Sequence, residues 1–188
     1  MKPLSDEYIQ EHFVDGNHVH NAIIVLEEYN DNWPVLFQKE ALRIKEILDD
    51  KALMIEHIGS TAIYGLCAKP IIDILLVVKD ASQEEDYVPA LCDHGYILRI
   101  KEPEFEHHHM FKGPDTNINL HVFSKGSKEI EKYLILRDYL RNHEDARVLY
   151  ANTKKELAKK KWKYVQNYAD AKSDVIQDIL KKAYQKIK

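Results

Sequence analysis

Apolar residues recur with two periods along this 188-residue chain, and the switches between them mark out its elements. Val35, Leu36, Ala41, Leu42, Ile44, Ile47 and Leu48 follow a helical repeat, which predicts a helix over 33–49. Asn32 is placed to cap it, and Pro34 fits its first turn, where no N–H partner is needed. A strand is expected over 52–58, ending at Gly59-Ser60-Thr61. A second, over 70–78, is apolar on both faces except at Asp73, the pattern of a strand covered on both sides. A helix over 84–94 closes at Gly95, and a short strand follows at 96–100. Segments 105–112 and 117–123 flank Gly113-Pro114-Asp115-Thr116 and read as a hairpin. From Ser124 the repeat is helical, over 127–141, 144–161 and 168–185, the last with Tyr168, Val175, Ile176, Ile179, Leu180 and Ala183 on one side. The fold class is therefore α+β: a mixed sheet of about five strands with flanking helices, then a C-terminal helical region. The expected divisions are a partly helical leader at 1–21, an α/β domain at 22–124 and helices at 125–188 packed on it.

Composition excludes several classes. Hydrophobic residues are 45% and charged residues 31%, ordinary for a globular protein and unlike a disordered or collagenous chain. The most apolar stretch, 71–78, is too short to span a bilayer, and residues 1–20 carry acids and no apolar run. With two cysteines there is no disulfide scaffold, so a cytoplasmic location is expected, with no membrane partner. Cys67 and Cys92 read as packing residues. The net charge of −4 conceals an asymmetry: residues 1–123 hold 10 Lys/Arg against 22 Asp/Glu, and residues 124–188 hold 17 against 9. A basic face opposite an acidic domain suits a phosphate-bearing small ligand or salt bridging between the two layers. The acidic majority of the chain argues against a nucleic-acid partner.

The chemistry concentrates in residues 55–74. A strand ends in Gly59-Ser60, where backbone comes close to an anion and the Ser60 and Thr61 hydroxyls face it. The next strand carries Asp73 within an apolar run, where an ionised carboxylate needs a cation or a metal. Glu56 and His57 lie on opposite strand faces, so one is expected to point toward the site. Lys69, before Pro70, either caps the site or sits in the loop.

Glu56-His57-Ile58-Gly59-Ser60-Thr61 and Lys69-Pro70-Ile71-Ile72-Asp73-Ile74 resemble the core motif of the GrpB family. The likeness continues through Trp33-Pro34, His121-Val122-Phe123, Leu136-Arg137-Asp138-Tyr139-Leu140-Arg141, Tyr150/Lys154 and Tyr168/Lys172, and covers roughly 22–188. The resemblance implies a nucleotidyltransferase-like fold, as in DNA polymerase beta and the kanamycin nucleotidyltransferases, and a likeness to the extra domain of some dephospho-coenzyme A kinases. In that superfamily Gly-Ser precedes an acid–hydrophobic–acid strand that holds two metal ions. Here the strand reads Asp73-Ile74-Leu75, so a leucine stands in the place of the second acid.

Other ligands are expected to compensate. If the hairpin turns about Asp115, His109 lies opposite His121, and His107, His109 and Phe111 share a face with Asn119, His121 and Phe123. Asp73, His109 and His121 would then hold a divalent metal, with imidazole favouring Zn²⁺ or Mn²⁺ over Mg²⁺. Arg137 and Arg141 lie four apart on one helix face, as do Tyr150/Lys154 and Tyr168/Lys172. These cations either clamp phosphates or bridge to the acidic domain. Two functions follow. One is a transferase in which Ser60 and Asp73 are catalytic and Gly59, Ser60, Thr61, Lys69, Arg137, Arg141, Lys154 and Lys172 bind the phosphates of a nucleotide or similar molecule. The other is a non-catalytic ligand-binding or accessory module without a full metal site.

Overall fold

The computed structural model describes residues 22–187, together with Tyr8, Glu11, His12 and Val14. Most of the expected 1–21 leader lies outside the described residues. Strand β1 (Ala22–Ile23) is followed by helix α1 (Asn32–Leu48), β2 (Met54–Ile58), β3 (Ile72–Val78), α2 (Val88–Asp93), β4 (Ile97–Glu102), β5 (His108–Lys112) and β6 (Ile118–Ser124). Helices α3 (Lys128–Asn142) and α4 (Glu144–Ala158), strand β7 (Lys161–Trp162), and helices α5 (Val165–Asp170) and α6 (Ser173–Ile187) complete the chain.

Five strands form one mixed sheet in the order β2-β3-β6-β5-β4. The pair β3–β6 is parallel, and β2–β3, β6–β5 and β5–β4 are antiparallel. This is the α+β architecture, a mixed five-stranded sheet with flanking helices, that the apolar pattern predicts. Alternation sorts β3 between two layers. Ile74, Leu76 and Val78 meet Leu120, Val122 and the α1 residues Trp33, Ile44 and Leu48 on one face. Leu75 and Val77 meet Ile58, Phe123 and the α3 residues Ile130, Tyr133 and Leu134 on the other. The C-terminal helices share a third apolar cluster, in which Leu140, Tyr150 and Ile179 enclose Ile63 and Leu66. Among the described residues no helix is long and apolar enough to cross a membrane.

Several expected boundaries shift for local reasons. Asn32 is the first residue of α1, and Asp31 takes the cap position without a side-chain hydrogen bond. The helix expected over 84–94 is a 3-10 turn at Glu84–Asp86 followed by the short α2, with Pro89 in its first turn. The helix expected over 168–185 is two, α5 and α6. Ahead of α5, β7 pairs with β1, Ala22 opposite Trp162, a ladder the apolar pattern does not announce.

The hairpin register differs by one residue from the expectation. Met110, not His109, lies opposite His121, and Lys112 lies opposite Asn119. The loop is not symmetric about Asp115, because Thr116 is buried and donates its hydroxyl to Glu40 Oε1 at 2.8 Å. A one-residue slip exchanges the faces of every side chain on the strand. His109 therefore turns toward α2, where it contacts the Tyr87 hydroxyl at 2.9 Å and Glu84 at 3.1 Å. His108 takes the place beside His121.

Candidate functional site

Gly59 and Asp73 join two strands at closest approach. Gly59 follows β2 with φ of +69°, a conformation L side chains rarely adopt, and a Cβ there would lie 2.3 Å from Asp73 Oδ2. Only glycine lets the chain turn this close to the carboxylate. Asp73 pairs with Ile58 on one side and Asn119 on the other. The Asn119 amide donates to Asp73 Oδ1 at 2.7 Å, and its oxygen accepts from Lys112 Nζ at 2.6 Å. Burial pushes the Asp73 carboxyl up, but His121 and Asn119 beside it, with Lys69 nearby, outweigh burial and hold it below its ordinary value.

This seam floors a cavity of about 430 Å³ under the C-terminal helices, within the ordinary range for small-molecule sites. Gly59, Ser60, Thr61, Lys69, Asp73, His121, Lys154 and Lys172 line it, so the structure brings together eight of the residues the sequence singles out. Lys154, only 2% exposed, donates from Nζ to Ser60 Oγ at 3.0 Å and to the Cys67 carbonyl. Its amine also lies 4.8 Å from the centre of the Tyr150 ring. Lys172 and Lys69 lie 4.7 Å and 5.8 Å from the centre of the Tyr168 ring. The buried Tyr168 hydroxyl has no hydrogen-bond partner among the described residues. Burial, then mutual repulsion with Lys172, brings Lys69 down to about 8. Burial chiefly, with Lys172 also opposing its charge, brings Lys154 down to about 7.

Other expected site residues stand elsewhere. Arg137 donates to Glu56 at 2.6 Å, to the His57 carbonyl at 3.1 Å and to Asp138 at 2.7 Å. Arg141 donates twice to the Ala62 carbonyl, at 2.8 and 3.0 Å. Both arginines fasten α3 to the β2 end of the sheet, and neither lines the cavity. The Thr61 hydroxyl is spent within the turn, donating to the Ile71 carbonyl at 3.3 Å and meeting His57 Nε2 at 3.1 Å. His57 stacks on Phe37 at 4.7 Å, and burial takes it down to about 4. Neither Glu56 nor His57 points into the cavity.

The pair of metal ions that the sequence resemblance implies does not fit this seam. Leu75 is fully buried in the apolar cluster with Ile58 and Phe123, and Asn119 occupies the neighbouring strand. His109, expected as a third ligand, faces the other layer because of the register slip. Among the described residues no group of three or more His, Cys, Asp or Glu side chains converges as a metal site would require.

The sequence reading missed Lys112 and Arg99, which also line the cavity. Lys112 follows from the true register. Arg99 lies at the irregularity between Leu98 and Ile100 in the β4–β5 ladder, the kind of bulge that re-aims a side chain. The lining thus carries Lys69, Arg99, Lys112, Lys154 and Lys172 against one carboxylate, Asp73.

Comparison with known proteins agrees with this architecture. The chain is 55% identical over 181 residues to a UPF0157 protein of Halalkalibacterium halodurans, covering 96% of this chain and 93% of that one. It superposes on the crystal structure of the conserved protein GrpB from Enterococcus faecalis with a TM-score of 0.76 and 31% identity, covering 87% and 99% of the two chains. It is also 23% identical to a dephospho-CoA kinase of Mycolicibacterium paratuberculosis, over 92% of this chain and 49% of that protein. The family model described as GrpB protein matches residues 23–182, and the chain belongs to the GrpB family.

Proposed function

We propose that the cavity binds a phosphate-bearing small molecule whose phosphates rest on lysines rather than on a pair of metal ions. The observation that carries this reading is the lining itself: five basic side chains around one carboxylate, in a space of about 430 Å³. Lys69 and Lys154 are crowded and desolvated enough to lose their ordinary basicity. An anion among them restores their charge and supplies an opposite charge to both ammonium groups. Lys154, bonded to Ser60 Oγ, places one cation directly at the Gly59-Ser60 turn. Lys112, held through Asn119 to Asp73, places another beside the carboxylate.

Transfer of a nucleotidyl or phosphoryl group is the second reading. It is favoured by Asp73, the carboxylate kept beside the Gly59-Ser60 turn. The dephospho-CoA kinase relative adds dephospho-CoA to the ligands worth trying.

Calorimetry with inorganic pyrophosphate, ATP and dephospho-CoA, each in EDTA and in Mg²⁺, tests the proposal. Pyrophosphate is expected to bind in EDTA. Its affinity is expected to fall at least about tenfold in Lys154→Met and in Lys172→Met, the value of one charged hydrogen bond. Binding that requires Mg²⁺, or that neither substitution weakens, would refute the lysine cradle.

A further inference from the structure

From the cavity wall outward, His121, His108 and Glu102 stand in line. Glu102 Oε2 lies 2.6 Å from His108 Nδ1, and His108 Nε2 lies 3.0 Å from His121 Nδ1. The two imidazole rings are nearly coplanar, with centroids 5.2 Å apart and a 14° tilt, as rings joined edge to edge by one hydrogen bond would be. Phe123 stacks on His108 at 4.7 Å and fixes its plane. At the outer end Tyr8 donates its hydroxyl to the other Glu102 oxygen at 3.2 Å.

The line has a direction. Burial pushes the Glu102 carboxyl up, but the contact with His108 outweighs it, so Glu102 is an ionised acceptor. His108 Nδ1 must then carry a hydrogen and donate it. Burial takes His108 down to about 4, which leaves it neutral at pH 7 with a lone pair on Nε2. That lone pair accepts the Nδ1 hydrogen of His121. His121 therefore keeps its hydrogen on Nδ1 and offers Nε2 on its other side, 3.9 Å from Asp73 Oδ1. The gap is too long for a hydrogen bond. With its Nδ1 hydrogen committed to His108, His121 presents Nε2 beside Asp73 Oδ1 at the cavity floor, and a ligand hydroxyl placed between them can share its one hydrogen with both.

We propose that Glu102 and His108 are positioning residues that set His121 Nε2 as an acceptor, and that the ligand is a phosphate ester carrying a hydroxyl that His121 and Asp73 receive. The hydroxyl part rests on the phosphate-binding reading above. The positioning part stands on the hydrogen-bond geometry, with the burial of His108 setting its direction. Together they narrow the ligand from any polyanion to a phosphorylated alcohol or sugar, with phosphate on the lysines and hydroxyl on the sheet.

Nuclear magnetic resonance of the full chain with ¹⁵N-labelled histidine reports which ring nitrogen holds the hydrogen. The expected result at pH 7.5 is a His121 ring protonated at Nδ1, becoming a mixture of tautomers in His108→Phe, which keeps an aromatic ring against Phe123 but removes the lone pair. Should that variant not fold, Glu102→Gln gives the same comparison, because its amide can donate to His108 as well as accept. A wild-type ring protonated at Nε2, or a tautomer untouched by these substitutions, overturns the positioning role. Calorimetry then compares glycerol 3-phosphate with propyl phosphate, which matches its charge and lacks hydroxyls. The wild type is expected to favour glycerol 3-phosphate about three- to tenfold, the value of one hydrogen bond, and His108→Phe to lose most of that preference. Equal affinities beside intact pyrophosphate binding overturn the hydroxyl inference alone. Failure of pyrophosphate as well as both esters overturns the phosphate reading.

Discussion

Replacing Lys154 with methionine is expected to stabilise the unliganded protein while weakening its ligand response. The amine is 2% exposed and its basicity drops from an ordinary 10.5 to about 7. At about 1.4 kcal/mol for each tenfold change, keeping it charged costs the folded state on the order of 4 to 5 kcal/mol. Against this stand its hydrogen bonds to Ser60 Oγ and the Cys67 carbonyl, each worth about 1 kcal/mol. Methionine fills a similar space and also leaves those oxygens without their donor. The net expectation is a gain of about 2 kcal/mol at pH 7, or about 4 to 8 °C in Tm for a chain of this size. The pH dependence carries the sign. A folded-state value below the unfolded one means that the unfolded chain binds more protons between pH 7 and 10.5, so stability rises with pH across that window. From pH 7 to 9 this group alone adds about 2 kcal/mol to the wild type, and the variant lacks that rise. Urea denaturation at pH 6, 7, 8 and 9 measures both quantities. A variant less stable than wild type at pH 7, with an unchanged pH slope, would show that the amine is fully satisfied without a ligand and would sink the reasoning.

Gly59→Ala meets both a positive φ and the Asp73 carboxylate, so it is expected to cost about 2 to 4 kcal/mol in urea denaturation; a loss under 1 kcal/mol would mean the turn relaxes freely. Arg137→Gln removes contacts to Glu56, Asp138 and the His57 carbonyl, and is expected to cost about 2 kcal/mol of stability while leaving pyrophosphate affinity unchanged. A tenfold loss of affinity there would return Arg137 to the phosphate clamp. Pyrophosphate binding is expected to weaken as pH rises from 7 to 9, because Lys154 and Lys69, at about 7 and 8, must be protonated to hold it. Calorimetry in buffers of different ionisation heat should register proton uptake on binding, and no uptake at pH 8 would count against these amines.

Gly59-Ser60 and Asp73 were legible because their chemistry is local: a glycine where backbone must approach a charge, and an acid in an otherwise apolar strand. The register of β5 on β6 was not. It depends on Thr116 reaching the buried Glu40, a contact across 76 residues, and without it Asp115 looks like the centre of the turn. That one-residue shift moved His109 to the other layer, put Lys112 into the cavity lining and set His108 beside His121. The arginines failed for a different reason. A basic residue on a helix over an acidic domain satisfies a phosphate clamp and a salt bridge equally well until its partner is known. Here Glu56 and the Ala62 carbonyl are those partners. Lys69, Lys154 and Lys172 do line the cavity, and among the described residues no acidic side chain is hydrogen-bonded to Lys154 beneath the helices.

The parallel seam has a consequence for the order of assembly. Asp73 and Asn119 meet across 46 residues of chain, and between them lie β4, β5 and the hairpin, which pair with near neighbours. Antiparallel neighbours close short loops early, whereas the β3–β6 ladder must close a long one. The cavity floor thus exists only after the two halves of the sheet have docked. A ligand that needs this floor has nothing to hold during the climb to the folding barrier if docking follows it. Added phosphate would then retard unfolding and leave the refolding rate as it was.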